Sequence, residues 1–197
     1  MVRRSSAIDE LCWGCDLAER LPLVPPSAKV RGLYFRPIER ALGRAGRLER
    51  FEAIFPERFA AVLWHPTADF LVRLAVGGAM LASAEQIHRG MFEIGRGNAV
   101  AFAESLIGRT LMRILEHDPK RLLKQAIAGR RQGINCGHWE LQFLGDREAV
   151  VTMAEEYCYI ESYLLGAAQG TFDAVNVPVQ IEVSLRDRFN GQHRLRW

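Results

Sequence analysis

The sequence has few cysteines and no long run of apolar residues. Four cysteines among 197 residues are too few for the disulfide scaffold of a small secreted domain. No stretch approaches the roughly 20 consecutive apolar residues that span a membrane. The basic start at Arg3 and Arg4 meets Asp9 and Glu10 before any apolar run, which is not typical of a secretory signal. We therefore expect a cytoplasmic protein without a membrane segment.

Lysine is scarce, because three of the 26 basic residues are lysine and the rest are arginine. A GC-rich genome, whose codons favour arginine, explains this bias without any role in phosphate binding. The net charge of +3 is too small to indicate nucleic acid as a partner. A basic stripe with interleaved aromatic side chains, which nucleic acid would need, is missing as well.

Catalytic patterns are also missing from the sequence. No serine or cysteine is accompanied by the base and the orienting group of a nucleophilic site. The segment Gly95-Arg96-Gly97-Asn98 has two glycines of a dinucleotide-binding loop. It lacks the third glycine, and it follows a predicted helix rather than a strand. These absences favour a protein that is not an enzyme.

Up to about residue 131, apolar residues recur at the three-four spacing of amphipathic helices. The first helix is expected at residues 6–21, where Pro22 ends it. Residues 30–35 form a short apolar run, expected as a strand or an extended docking segment. Further helices are expected at residues 38–42, 48–55, 57–64, 68–81, around 87–92, at 99–115, and from Asp118 to near Gly129.

From His138 onwards the periodicity changes to two, which is typical of strands. Trp139, Leu141 and Phe143 alternate with polar residues in the first of them. The expected order then continues with a strand at residues 149–153, a helix at 159–168 stopped by Gly170, a strand at 175–185, a turn at Asn190-Gly191 and a last strand to Trp197.

These elements predict an α+β fold. An N-terminal helical layer should pack on a C-terminal, mainly antiparallel four-stranded sheet in the order strand-strand-helix-strand-strand. The expected organisation is one domain over residues 1–197. It would contain an N-terminal helix and proline-rich connector at 1–29, a helical part at 30–131 and a sheet part at 138–197.

Aromatic residues are concentrated where the predicted helices should meet the sheet. Most are expected to belong to the core, but any ligand pocket in this architecture would be lined by them. Arg130, at the end of the last long helix, is the basic residue of this group. The candidate pocket residues are therefore Trp139, Phe143, Tyr157, Tyr159, Tyr163 and Arg130.

A second candidate site consists of metal-binding residue types. Cys12 and Cys15 form a Cys-x-x-Cys pair, and Cys136 and His138 form a second pair. Four such ligands are the number that tetrahedral zinc requires. Cys12 and Cys15 also fall on the apolar stripe of the first predicted helix, so small buried core cysteines explain them without a metal. A redox role would need the pair at a helix start after a strand, and no strand precedes it.

Four short segments and the tail carry a resemblance to a known family. They are Val30-Arg31-Gly32-Leu33-Tyr34-Phe35, Ile94-Gly95-Arg96, Gly108-Arg109-Thr110, Asp118-Pro119-Lys120-Arg121-Leu122-Leu123 and the strand-rich tail that ends in Trp197. Residues 9–197 thereby resemble an uncharacterised bacterial family that is found as large paralogous sets in myxobacteria. Structural glycines and helix caps make up these motifs, so the resemblance implies a family rather than a function.

The order of the elements also resembles the haem nitric-oxide-binding domains and the 4-vinyl reductase domains. That resemblance implies a module that binds or senses a small molecule, with a ligand space between helices and sheet. The haem-binding members need a histidine on the helix before the sheet, because iron takes an axial imidazole. Residues 122–131 contain no histidine. The resemblance therefore implies the fold but not haem, and we expect no cofactor.

The sequence as a whole favours a non-catalytic sensory or regulatory module. It would bind a small ligand or a protein partner between helices and sheet and form a homodimer, as the resemblance to dimeric ligand-binding domains implies. One alternative is a zinc or redox protein that uses Cys12, Cys15, Cys136 and His138. Another alternative is a scaffold protein without a ligand.

Overall fold

Helices dominate the first half of the computed structural model, which describes residues 6–103 and 118–197. By their internal contacts these residues form two units. The first unit holds the chain up to Ile94 with Gly133–Asn135, and the second holds Gly95–Gln132 with Cys136–Trp197. The single domain expected from the sequence, with its parts at residues 1–29, 30–131 and 138–197, stays a prediction.

The first unit consists of helices and one small pair of strands. Its helices are α1 (Ser6–Cys12), α2 (Leu17–Arg20), α3 (Arg36–Arg44), α4 (Leu48–Ile54), α5 (Thr67–Leu81) and the first half of α6 (Ile87–Ala103). Single 3-10 turns lie at Leu21–Leu23 and Gly32–Phe35. Strands β1 (Lys29–Arg31) and β2 (Trp64–Pro66) pair antiparallel, with Val30 opposite His65.

Helix α5 forms the centre of the first unit. Twelve of its 15 residues are buried, and it contacts α1, α2 and α3. A helix that is apolar on all sides is stable only when other elements cover it all round. Arg73 is the one charged residue among those twelve, so its charge must be compensated inside the protein.

The prediction of one helix at residues 6–21 is wrong, because the first helix ends at Cys12 and a second begins at Leu17. The break allows a backbone contact at Gly14, where an added Cβ would lie 1.8 Å from the carbonyl oxygen of Ala84. Helical periodicity reports burial but not such a close approach between distant segments. The first helix therefore ends at the cysteine that was expected in its middle.

The helix expected at residues 57–64 is also wrong. These residues form an irregular segment that leads into β2. Its backbone carbonyls bond to the segment after β1, since the amide of Gly32 donates to Leu63 at 2.9 Å and the amide of Leu33 donates to Ala61 at 3.0 Å. Backbone partners outside the segment replace those of a helix.

The second unit contains the sheet. Its elements are the rest of α6, helix α7 (Pro119–Gly133) up to Gln132, strands β3 (His138–Phe143) and β4 (Glu148–Ala154), a π-helical turn at Ile160–Leu164, helix α8 (Leu165–Asp173), and strands β5 (Gln180–Asp187) and β6 (Asn190–Arg196). The four strands lie in the order β3-β4-β6-β5, and every pair is antiparallel. The predicted α+β fold with a strand-strand-helix-strand-strand order is confirmed.

One face of this sheet is covered. In β4 the buried side chains are Ala149, Val151 and Met153, which alternate with more exposed neighbours. His193 and Leu195 continue the covered face on β6, and His193 lies opposite Val151 in the register. The π-helical turn contacts β5 and β6. This is the period of two that the sequence shows.

The last hairpin differs from expectation at two points. The strand expected at residues 175–185 begins only at Gln180, because Pro178 has no amide to give to a ladder. The turn consists of residues 188–189 and not of Asn190-Gly191, which open β6. The carboxylate of Asp187 closes this turn by accepting bonds from the amide of Phe189 at 2.9 Å and the side chain of Asn190 at 2.8 Å.

Three glycines lie inside helices, and two of them, Gly129 and Gly170, were expected to end one. Helix α6 continues through Gly95, α7 through Gly129 and α8 through Gly170. An added Cβ on Gly95 would lie 2.0 Å from the carbonyl oxygen of Tyr163, and one on Gly170 would lie 2.1 Å from that of Arg96. Two of these glycines thus permit backbone contact between packed segments and do not end a helix.

Two expected helix starts are present. The amide of Gln86 donates to the Ser83 hydroxyl at 3.2 Å, and the amide of Arg121 donates to the Asp118 carboxylate at 2.9 Å, as caps do. Most of the helix expected at residues 99–115 and the segment Gly108-Arg109-Thr110 lie outside the described residues. Within the described residues, none of the helices has the length and apolarity needed to cross a membrane.

Gly95 and Gly97 allow a matched test of the close packing in the second unit. Gly95→Ala should lower the free energy of unfolding by about 1–3 kcal/mol, because the added methyl group meets backbone. Gly97→Ala should raise it by about 0.5–1 kcal/mol, since open space surrounds that position and alanine favours a helix. Urea unfolding of both variants measures the difference. Equal effects would contradict the packing described.

Candidate functional site

A fully buried carboxylate organises the predicted pocket residues of the second unit. Glu156 has no exposed surface. Its Oε2 accepts hydrogen bonds from the Arg130 guanidinium at 2.5 Å and from the Trp139 indole at 2.7 Å, while its Oε1 accepts one from the Cys158 amide at 2.9 Å. Arg130 also donates to the Cys136 carbonyl at 2.7 Å. We call these five residues the Glu156 cluster.

The members of the Glu156 cluster interact mainly with one another. The Arg130 guanidinium lies 4.7 Å from the centre of the Trp139 ring, a distance at which cation–π attraction adds to the ion pair. Burial, with the nearby Glu156 charge, raises the pKa of the Cys158 thiol well above its usual value. A thiol kept protonated in this way is a poor nucleophile. The cluster is therefore structural, because one Arg130 amino group and the Trp139 indole already donate to the Glu156 carboxylate.

The other predicted pocket residues do not join the Glu156 cluster. Tyr159 and Tyr163 are fully buried in the core, and Tyr163 accepts a hydrogen bond from Asn98 at 2.7 Å. Tyr157 packs on Phe189 with ring centres 5.2 Å apart, and burial raises its pKa. Phe143 lies beneath the ammonium groups of two lysines, at 5.7 and 5.6 Å. The structure thus unites Arg130 and Trp139 but distributes the remaining aromatics.

The predicted zinc ligands occupy different local settings. Cys12 is buried at the end of α1, and Cys15 is half-buried in the bend that follows. Cys136 is half-buried, and His138 is an exposed residue at the start of β3. Within residues 6–103 and 118–197, no group of three or more His, Cys, Asp or Glu side chains is arranged to hold a metal ion. The zinc site stays a prediction.

Replacement of the buried carboxylate should be costly. Glu156→Gln removes the charge that compensates Arg130, and an uncompensated buried charge costs about 3–5 kcal/mol. Glu140→Gln is the matched control, because Glu140 is an exposed residue of β3, and it should change little. Urea unfolding followed by tryptophan fluorescence measures both. A similar small effect for the two variants would show that the cluster is not needed for stability.

His193 is a buried titratable group on the covered face of the sheet. Its Nε2 lies 2.9 Å from the carbonyl oxygen of Ile160 and donates to it. Burial lowers the pKa of His193, although this hydrogen bond acts in the opposite direction. The imidazole is therefore neutral in the folded protein at neutral pH.

This lowered pKa predicts a pH dependence of stability. Below the unfolded pKa of about 6.5, the unfolded chain binds a proton that the folded chain does not, so stability falls as pH decreases. One such group contributes a slope of up to about 1.4 kcal/mol per pH unit. His193→Gln should remove this component in unfolding experiments between about pH 5.5 and 7.5, above the titration of the carboxylates. An unchanged slope in the variant would contradict it.

The first unit contains a cavity of about 230 Å³ that sequence reasoning missed. It lies between α3, α4, the segment after α4 and α5. None of the six predicted pocket residues lines it. Its walls are Glu39, Phe51, Glu52, Phe55, Pro56, Glu57, Arg58 and Arg73; we call it the Arg73 cavity.

Arg73 reaches the cavity from the buried helix α5. Its side chain is 2% exposed, and its guanidinium donates to the Glu57 carboxylate at 2.9 Å. The guanidinium carbon lies 4.6 Å from the centre of the Phe55 ring and 4.5 Å from that of Phe59. Desolvation lowers the pKa of Arg73, and the charge of Glu57 opposes this effect. The aromatic rings and one carboxylate thus hold a cation in the core.

Two polar groups of the Arg73 cavity lack a hydrogen-bond partner. The Nε of Arg73 is buried and has none in the described part of the chain, an arrangement that costs free energy unless a further group satisfies it. Glu39 is half-buried and forms neither a hydrogen bond nor an ion pair among the residues described; its electrostatic contact is with Arg73. The remaining charged pair, Glu52 with Arg58 at 3.0 Å, is exposed. The Glu39 carboxylate therefore faces the cavity without a hydrogen bond from a described residue, whereas the Arg73 Nε lies beneath the accessible surface.

A sequence signal for the Arg73 cavity exists. Arg73 is a single charge inside the apolar run of α5, and buried charges are rare unless they are paired or functional. Before it in the chain, Phe51, Phe55 and Phe59 recur at four-residue spacing. Because residues 57–64 are expected to form a helix, the sequence alone does not place Glu57 and Phe59 beside Arg73.

A family model described as "Protein of unknown function (DUF2378)" matches residues 24–197. This confirms the predicted resemblance to an uncharacterised family, while a myxobacterial source stays a prediction. Among curated proteins, none matches the sequence.

Solved structures of H-NOX proteins are similar over most of the chain. An alanine-to-glycine mutant of the Fe(II) unliganded H-NOX protein from K. algicida aligns with a TM-score of 0.66 and 13% identity, covering 84% of this chain and 95% of that one. The unmutated protein aligns with a TM-score of 0.61, 10% identity and the same coverage. A phenylalanine-to-leucine variant of Tt H-NOX gives 0.61, 9% identity, and 84% and 94% coverage. The chain has the α+β fold of these structures.

Proposed function

The chain belongs to the DUF2378 family of proteins of unknown function, and we propose that it is a non-catalytic sensory or regulatory module that binds a small molecule. The observation that carries this proposal is the Arg73 cavity, whose walls combine aromatic rings, a buried guanidinium and the half-buried Glu39 carboxylate. A buried charge beside open space is uncommon in a core that has only a structural role, and such charges are concentrated at functional sites. Similarity to the H-NOX fold supports the proposal by analogy. The argument itself depends on the site, because one fold can carry many functions.

The described residues of the Arg73 cavity do not fit a haem as its ligand. The H-NOX neighbours are described as Fe(II) proteins, and haem iron takes an axial His, Cys, Met or Tyr. Helix α7, which precedes the sheet, contains no histidine along its 15 residues. His193 uses its Nε2 on a backbone carbonyl, and the walls of the Arg73 cavity include none of the four ligand types. We therefore propose a ligand other than haem.

The alternatives from the sequence receive less support. A zinc or redox protein would need the cysteines near further ligands, and the described residues form no such group. A scaffold without a ligand would not need a buried, partly unsatisfied arginine beside a cavity. We also propose a homodimer, as the resemblance implies, and a cytoplasmic protein with no nucleic-acid partner, as composition and charge indicate.

Native mass spectrometry of the purified chain tests the proposal. We expect a dimer mass, a bound small molecule and no Soret band in the absorption spectrum. Arg73→Met should lose the small molecule while the free energy of unfolding changes little, because its partner Glu57 is 66% exposed and remains solvated.

Arg58→Met is the matched control for that experiment. Arg58 lines the same cavity, but its side chain is 84% exposed, so the small molecule should stay bound. A wild-type chain without any bound molecule, or equal loss from both variants, would contradict the Arg73 cavity as the binding site. A stoichiometric Soret band would overturn the proposal that the ligand is not haem.

A further inference from the structure

We propose that strand β5 is the surface through which two copies of this chain form the homodimer, with their β5 edges paired antiparallel across a twofold axis. This inference rests on the homodimer included in the proposed function and names the residues that form its contact. An interface of this kind is isologous, because the same strand contributes to both sides.

Strand β5 forms one edge of the sheet. It comes last in the order β3-β4-β6-β5, and its eight residues, Gln180–Asp187, are extended. An antiparallel neighbour uses the amide and carbonyl groups of alternate residues, so those of the residues in between point outwards. Among the described residues, no backbone hydrogen bond outside the ladder with β6 involves β5. A strand edge of this kind can pair with another chain.

The opposite edge of the sheet is less suited to such pairing. Strand β3 has six residues, two fewer than β5. The carbonyl oxygen of Trp139 in β3 accepts a hydrogen bond from the Arg131 guanidinium at 3.3 Å. A side chain of α7 thus already occupies part of the β3 backbone, which leaves β5 as the better edge for a second copy.

Apolar side chains of β5 on the covered face of the sheet remain partly accessible. Val183 lies opposite the buried His193, so Ile181, Val183 and Leu185 belong to this face, because side chains alternate along a strand. Ile181 and Val183 are half-buried, and Leu185 is 45% exposed. On the neighbouring strand β6, His193 and Leu195 are buried. A second strand beside β5 would cover the apolar row, and this favours pairing.

Side-chain alternation restricts the register of a twofold pair. The covered faces of both copies lie on the same side of the joint sheet only when the axis passes through a residue and not between two residues. Centred on Ser184, the pair places Glu182 opposite the partner's Arg186 and, by symmetry, Arg186 opposite the partner's Glu182. Centred on Val183 it would align Glu182 with a serine, and centred on Glu182 it would oppose two carboxylates. The register centred on Ser184 is therefore favoured, because directly opposite charges of unlike sign stabilise a strand pair.

Glu182 and Arg186 are accessible for these contacts, since their side chains are 59% and 79% exposed. Arg196 donates to the Oε1 of Glu182 at 2.7 Å, and the second carboxylate oxygen can accept from another guanidinium. The register with β6 shifts between Leu185 and Asp187, so Arg186 has no opposite residue on β6. Two ion pairs related by the twofold axis would thus join the copies and fix their register.

Charge reversals, followed by sedimentation velocity and native mass spectrometry of the full chain, test the inference. Arg186→Glu and Glu182→Arg should each weaken dimerisation at least about tenfold, because either change turns both ion pairs into contacts between like charges. An equimolar mixture of the two variants should form the mixed dimer, in which opposite charges face each other again. The double variant that carries both changes should recover the homodimer for the same reason.

Arg147→Glu is the matched control. Arg147 is an exposed residue between β3 and β4, and its reversal changes the net charge as much as Arg186→Glu does, so dimerisation should stay unchanged. Glu182→Arg also loses the contact with Arg196, and circular dichroism checks that this variant is folded. A second measurement does not depend on it: high ionic strength should restore dimerisation of Arg186→Glu in large part, because salt screens the repulsion between exposed charges.

The outcomes separate this inference from the proposed function. Dimerisation of Arg186→Glu that equals that of the wild-type chain, or the absence of a mixed dimer between the two folded variants, would overturn β5 as the contact, and the homodimer would then use another surface. A wild-type chain that stays monomeric at high concentration would contradict both the homodimer and this inference. Binding of a small molecule in the Arg73 cavity is decided independently, by the comparison of Arg73→Met with Arg58→Met.

Discussion

Burial of a guanidinium is energetically costly, and the described part of the chain buries three of them, those of Arg20, Arg73 and Arg130. Arg130 and Arg73 are 7% and 2% exposed, and the Nε of each lacks a hydrogen-bond partner among the described residues. A buried charge persists only where an opposite charge and hydrogen bonds compensate its desolvation. The way each arginine is compensated decides what the surrounding residues can do.

The charges of Arg130 and Arg73 are compensated differently. Arg130 is paired with Glu156, a carboxylate with no exposed surface that also accepts bonds from an indole and a backbone amide. One Arg130 amino group donates to Glu156 and to the Cys136 carbonyl, and this links the end of α7 to the edge of the sheet. Arg73 is paired with Glu57, whose side chain is largely exposed, and a cavity lies beside it. A buried cation with a solvated partner and adjoining space is suited to binding.

Sequence patterns predicted the sheet better than the site. The alternation in β3 and β4 and the apolar run of α5 are local signals, because burial of one face repeats every two residues in a strand and apolar residues all round indicate a covered helix. Of the six candidate pocket residues, the structure brings Trp139 and Arg130 into contact around Glu156. The expectation failed where distant backbone contacts decide the conformation: at Gly14, in residues 57–64, and at Gly170. The Arg73 cavity was missed for the same reason, since Glu57 and Phe59 belong to one of these segments.

By itself, the amino-acid sequence determined the α+β class, the mainly antiparallel sheet with its strand-strand-helix-strand-strand chain order, and the absence of a histidine on the helix before the sheet. These follow from periodicity, turn residues and composition, which act over a few neighbouring residues. Only the tertiary structure decided that Glu156 is the partner of Arg130, and that Arg73 faces Glu39, Phe55 and Glu57 around a cavity. Such pairings depend on which distant segments pack together in the folded protein, and a sequence pattern does not show which segments those are.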